Sequence, residues 1–195
     1  MTSRLQGNPK ILWLQWSVAF AFGYTLAPPL GFFLAALIAP AGGADLAGSL
    51  AIMDGTVAGV LIGGLQWFLL RRRVAQASSW FFATVLGLVI GYYLSFLIYN
   101  FLNVHGAIAG FVITGLCLGV AQGRFINLPS PHYWYWILVN SIGWAVAGSA
   151  GNWAAIHLAK FWFFPVTGAI VGMLTGVVLI STLKGYALGR SAGSQ

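Results

Sequence analysis

The stretch Gly59-Val60-Leu61-Ile62-Gly63-Gly64-Leu65-Gln66-Trp67-Phe68-Leu69-Leu70-Arg71-Arg72-Arg73 holds the features that decide the fold. An apolar run carries glycines four positions apart, then a lone amide, two aromatic rings and three arginines. Glycines at that spacing share one helix face and admit a second helix closely, a main source of helix association in lipid. Aromatic rings followed by arginines mark the level where a helix leaves hydrocarbon for headgroups. The segment reads as the end of a transmembrane helix.

Outward from it, the whole chain has the same character. Of 195 residues, 59% are hydrophobic and 6% charged, and the mean hydropathy is +0.88. A soluble domain carries about a quarter charged residues, and disorder requires low hydrophobicity. Six stretches approach the roughly 20 apolar residues that cross a bilayer: 11–38, 54–71, 79–101, 106–125, 133–157 and 163–183. No stretch alternates apolar with polar, and lipid does not tolerate an open sheet edge. The expected fold is an all-α integral membrane six-helix bundle.

The chain also repeats itself. Trp16-x6-Gly23, Trp80-x6-Gly87 and Trp136-x6-Gly143 mark the odd helices. The even helices carry Gly59-x3-Gly63-x2-Gln66, Gly115-x3-Gly119-x2-Gln122 and Gly168-x3-Gly172-x2-Thr175. Three helical hairpins are expected, at 11–71, 79–125 and 133–184, in an approximate pseudo-threefold arrangement, with 185–195 as a short tail.

The net charge of +7 comes from 9 Lys and Arg against Asp45 and Asp54. These cations are too few and scattered to track a nucleic-acid backbone, so no nucleic-acid partner is expected. Arg4, Lys10, Arg71, Arg72, Arg73, Arg124, Lys184 and Arg190 fall on one side of the six-span map, with Lys160, Asp45 and Asp54 opposite. That asymmetry predicts cytoplasmic termini in a bacterial inner or photosynthetic membrane. The first apolar run outlasts a cleavable signal peptide, so it is expected to be a retained span. Arg71, Arg72 and Arg73 are candidates to hold anionic lipid headgroups.

Candidate site residues follow from position. The six paired glycines either seat neighbouring helices or leave room for a flat ligand, and Gln66, Gln122 and Thr175 either lock helices or line a cavity. Asp54 reads first as a cap at the start of an even helix; a cation or proton site is the second reading, and pairing with Lys160 the third. Asp54, Asn140, Ser149 and Asn152, with His105 and His157, outline a possible pocket at the outer side. Trp13, Trp16, Trp67, Trp80, Tyr133, Trp134, Tyr135 and Trp136 are expected as an interfacial belt. Pro28 and Pro29 should kink the first helix. Cys117 stands alone, and the three histidines are split between the two sides, so no metal site is expected.

No Walker loop, dinucleotide fingerprint or zinc-protease motif is present, and the two carboxylates are poorly disposed for acid–base work. An enzyme is not expected. The run Gly63–Arg71, followed by Trp80 and Gly87, resembles a loose group of Gly/Trp-rich multi-pass bacterial membrane proteins with a G-x-x-Q-W-x-x-L-R pattern, found in photosynthetic bacteria; Gly123 departs from it in the second copy. The resemblance implies a membrane location and little chemistry. Two functions are expected to compete. One is a non-catalytic accessory subunit packed among other membrane subunits, with lipid or pigment as its only bound groups. The other is a solute-binding or transport unit, similar in size and helix count to the vitamin-capture subunits of energy-coupling-factor transporters.

Overall fold

The structure is a computed structural model that describes residues 8–38, 46–74, 76–102, 106–125 and 130–192. The described residues form α1 (Pro9–Ile38), α2 (Leu46–Leu70), α3 (Ala77–Leu102), α4 (Gly106–Phe125), α5 (Ser130–His157), a 3₁₀ turn at Lys160–Trp162 and α6 (Phe163–Ala192). No strand occurs among them. Each helix packs antiparallel against its two neighbours in sequence, and α6 closes on α1, so the six make a ring.

Five helices are long and apolar enough to cross a membrane: Pro9–Leu37, Gly48–Leu70, Ala77–Phe101, Ala107–Arg124 and Lys160–Thr182. The sixth expected span, α5, falls short because it carries Asn140, Ser141, Ser149 and Asn152. Large apolar side chains cover the outside of the ring, with Phe32, Phe82 and Phe101 all turned outward. Five such helices and an apolar exterior fit a multi-pass membrane protein.

Two boundaries differ from expectation. Helix α2 begins at Leu46, two turns before the predicted start at 54; Gly48 and Ser49 look like loop residues, but lipid-buried helices accept them. Helix α6 continues to Ala192, so residues 185–192 of the expected tail are helical. Pro28 and Pro29 lie inside α1, which continues through both to Ile38.

Small residues set how the helices meet. On α2, a Cβ at Gly59 would lie 2.6 Å from the Val85 Cα, and one at Gly63 would lie 3.2 Å from the Phe81 carbonyl and the Thr84 Cβ. The α4 glycines meet α5 alike: Gly115 faces Ser141 Cα at 2.7 Å, and Gly119 faces Ile137 Cα at 2.8 Å. On α6, Gly168 faces Ala21 Cα of α1 at 2.8 Å and Gly172 faces Ser17 Cα at 2.7 Å. Counted from Trp80, Trp136 and Trp16, the facing residues stand one and five positions on in all three cases. These tight seams join α2 to α3, α4 to α5 and α6 to α1, between the expected hairpins rather than inside them.

Within each expected hairpin a second small stripe does the packing. Gly23 meets Ile62 main chain at 3.2 Å, Gly87 meets the Leu118 Cα at 2.8 Å, and Gly143 meets only the Leu174 side chain at 3.7 Å. One turn on, Ala27, Gly91 and Ala147 are buried, and two turns on stand Gly31, Ser95 and Gly151. Close backbone approach replaces the hydrophobic gradient that lipid cannot supply.

Candidate functional site

The same glycine stripes fix what fills the ring. Seven positions is two helical turns, so Trp16, Trp80 and Trp136 share a face with Gly23, Gly87 and Gly143 and point inward. All three indoles are buried, Trp16 completely. Trp80 sits edge-on between the other two, with ring centroids 5.6 Å from Trp16 and 5.5 Å from Trp136, a favoured geometry for aromatic pairs. The expected interfacial belt is thus corrected at these three positions. Trp134 and Tyr135 do stay exposed, while Trp13 donates from Nε1 to the Met173 carbonyl of α6 at 3.0 Å.

A buried indole N–H needs an acceptor. Trp80 Nε1 donates to Gln66 Oε1 at 2.8 Å, Trp136 Nε1 to Gln122 Oε1 at 3.3 Å, and Trp16 Nε1 to Thr175 Oγ1 at 3.1 Å. Gln122 Nε2 also donates to Thr84 Oγ1 at 2.9 Å, and that hydroxyl donates to the Trp80 carbonyl at 2.9 Å. One polar lattice therefore runs from α2 to α5 through the centre of the ring. Gln66, Gln122 and Thr175 act here as acceptors that lock helices.

Toward the opposite end the filling gives out. A cavity of about 270 Å³ is lined by Tyr24, Tyr92, Ser95, Phe111, Thr114 and Trp144, among others. Ser95 Oγ lies 2.8 Å from Thr114 Oγ1 and 2.6 Å from the carbonyl oxygens of both Gly91 and Gly110, one of which takes its single proton. Trp144 packs edge-on against Tyr24, centroids 5.4 Å apart. Its Nε1 is buried with no hydrogen-bond partner, a state that costs about 1–3 kcal/mol.

The expected outer-pocket residues do not gather there. Asn140 is fully buried at the polar lattice, donating from Nδ2 to the Trp136 carbonyl at 2.9 Å, with Oδ1 unpartnered. Ser149 is exposed and donates to the Ala145 carbonyl at 2.8 Å. Asn152 is exposed, and exposed His157 lies beside Trp153 with ring centroids 4.9 Å apart. His105 lies outside the described residues.

Asp54 is not a helix cap, because α2 starts at Leu46. It sits inside the helix against Gly31 of α1, its Oδ1 buried and unpartnered. Among the described residues no group of His, Cys, Asp or Glu could hold a metal. Arg71, Arg72 and Arg73 follow α2, Arg71 lying over the Phe68 ring at 4.3 Å and the Trp67 ring at 5.2 Å. Arg73 Nη1 instead turns back to the Leu69 carbonyl at 2.8 Å.

Sequence reasoning missed Tyr24, Tyr92 and Trp144. Tyr24 and Trp144 stand eight positions after Trp16 and Trp136, on the face already marked by the glycines, and that register was the available signal. No family model, curated protein or solved structure matches the chain.

Proposed function

We propose that the chain is a non-catalytic integral membrane protein that crosses the bilayer six times, with cytoplasmic termini, and serves as an accessory subunit within a larger membrane complex. Its ligand is a small, mostly apolar group held at the far-end cavity, such as the ring-sized end of a lipid or pigment. The observation that carries this reading is the cavity of about 270 Å³ with Trp144 in its wall, an indole whose Nε1 is closed off and without a partner. A small shift of that wall would give an acceptor on an otherwise apolar guest access to the nitrogen. The cavity lies just below the range of about 300–1,000 Å³ usual for ligand sites, so it suits one ring system and not a whole tetrapyrrole.

Three copies of one hairpin, in approximate threefold pseudosymmetry, account for the recurring offsets at the seams and for the three indole-to-acceptor bonds. The sixth span is supported by the way α5 treats its polar groups. Ser141 and Ser149 each bond a carbonyl four residues back, at 3.0 and 2.8 Å, which lowers the cost of carrying them in lipid. The lattice of Trp16, Trp80 and Trp136 fills the middle of the ring, which favours a solid scaffold over a conduit.

The test is gentle extraction followed by native mass spectrometry and absorption spectroscopy. A stoichiometric partner, with a small ligand retained by wild type and lost in Trp144→Phe, is the expected result. A purified monomer that binds an added water-soluble solute at this cavity would instead favour solute capture, the reading supported by the donors of Tyr24, Ser95 and Thr114. Retention of the same ligand by wild type and Trp144→Phe would remove the cavity from the account.

A further inference from the structure

A second concavity lies on the outside of the ring, at the end that carries the arginines. It is an apolar groove of about 340 Å³ between α1 and α2, walled chiefly by Leu14, Val18, Phe22, Leu65 and Phe68. Three of its features bear on what it could hold. Gln15 also lines it, an exposed amide outside the polar lattice of the ring. Phe68, one wall of the groove, is also the ring over which the Arg71 guanidinium rests at 4.3 Å. Arg72, next in the chain, is exposed, and exposed Lys10 stands one turn before Leu14 on α1.

These features match the parts of one molecule in order of depth. Cations at the mouth suit a phosphate, the amide just inside suits an ester carbonyl, and the apolar trough suits an acyl chain. An amide on a lipid-facing surface is costly without a partner, and a glycerol ester is the acceptor present at that depth. The positive-inside asymmetry explains why arginines lie at this end, but not why Arg71 folds onto the wall of a groove that holds an amide.

We propose that the α1–α2 groove is a specific site for one anionic phospholipid. Its phosphate contacts Arg71 and Arg72, one ester carbonyl accepts from Gln15, and one acyl chain lies along Val18, Phe22 and Leu65. The inference needs only that the helices lie in a bilayer, and it is independent of the far-end cavity.

The full chain is reconstituted in nanodiscs of phosphatidylcholine and phosphatidylglycerol, nine to one by design, released into detergent, and analysed by native mass spectrometry. Wild type should retain one phosphatidylglycerol per chain in preference to phosphatidylcholine. Arg71→Gln should cut that preference about fivefold, since one cation near anionic headgroups contributes on that scale. Val18→Trp, at a position 56% exposed and so harmless to the fold, should fill the groove and abolish retention with every cation still in place. Gln15→Leu should weaken retention while circular dichroism stays unchanged. Equal retention of both lipids by wild type, or undiminished retention in Val18→Trp, would overturn the site and leave only diffuse attraction of anionic lipid to the arginines.

Discussion

Trp80 and Gln66 stand fourteen residues apart on facing helices, and the indole Nε1 donates to the amide oxygen across 2.8 Å. Trp136 and Gln122 repeat both the separation and the bond, at 3.3 Å. Both bonds are buried, so no water can replace either partner.

Removing the acceptor should therefore cost more than its own bond. Gln66→Leu leaves the Trp80 N–H orphaned, a loss of about 1–3 kcal/mol, offset in part because the buried, unpartnered Gln66 Nε2 goes with it. Gln122→Leu should cost more, because Gln122 also donates to Thr84 Oγ1. Unfolding by steric trapping in bicelles measures both, and a double-mutant cycle of Gln66→Leu with Trp80→Phe should give a coupling of about 0.6–2 kcal/mol. Additive effects would mean that the bond contributes nothing net.

Three glycine substitutions should separate close approach from mere helix content. Gly115→Ala drives a methyl to within 2.7 Å of the Ser141 Cα and should destabilise by about 1–3 kcal/mol. Gly143→Ala meets only a leucine side chain at 3.7 Å and should stay within about 0.5 kcal/mol of wild type. Gly64→Ala has nothing within 4 Å and should be neutral, or stabilising by up to about 1 kcal/mol. Thermal unfolding of the three in one detergent gives the order, and equal losses would contradict the seam geometry.

The unpartnered Trp144 Nε1 gives a prediction whose size depends on the ligand. In fully delipidated protein, Trp144→Phe should be nearly neutral, because removing a buried donor without an acceptor offsets the packing lost with the smaller ring. In native membranes, where the proposed ligand supplies the acceptor, the same change should lower the unfolding temperature. Parallel thermal-shift measurements decide it, and equal shifts in both media would argue against an occupant at that nitrogen.

Whether α5 spans the membrane is open to a direct labelling test. Single cysteines at Ser130, the first residue of α5, and Phe161, in the turn that follows it, both exposed, are placed in a Cys117→Ala background. Impermeant maleimide should reach them from opposite sides of the membrane. Labelling from one side only would leave five spans.

The helices and their order were legible because lipid imposes long apolar runs on any chain that crosses it. The start of α2 was not, since Gly48 and Ser49 break helices in water but not in hydrocarbon. Trp16, Trp80 and Trp136 were misassigned for a related reason. Depth along the helix suggested a headgroup belt, whereas the face they share with Gly23, Gly87 and Gly143 pointed inward, and face outweighs depth once glycines bring two backbones together. The cavity had no local signature at all. Tyr24, Tyr92, Thr114 and Trp144 come from four helices, and only ring closure brings them together.

Because α6 supplies both Thr175 and the glycine face that receives α1, the ring has a closing stave that is made after the other five. Until it arrives, the Trp16 indole and the Ser17–Ala21 edge lack their partner and wait for a helix encoded far downstream. Any copy arrested at that stage offers the seam to the sixth helix of a sister molecule, so slow translation before Phe163 would favour interlocked pairs over sealed single rings.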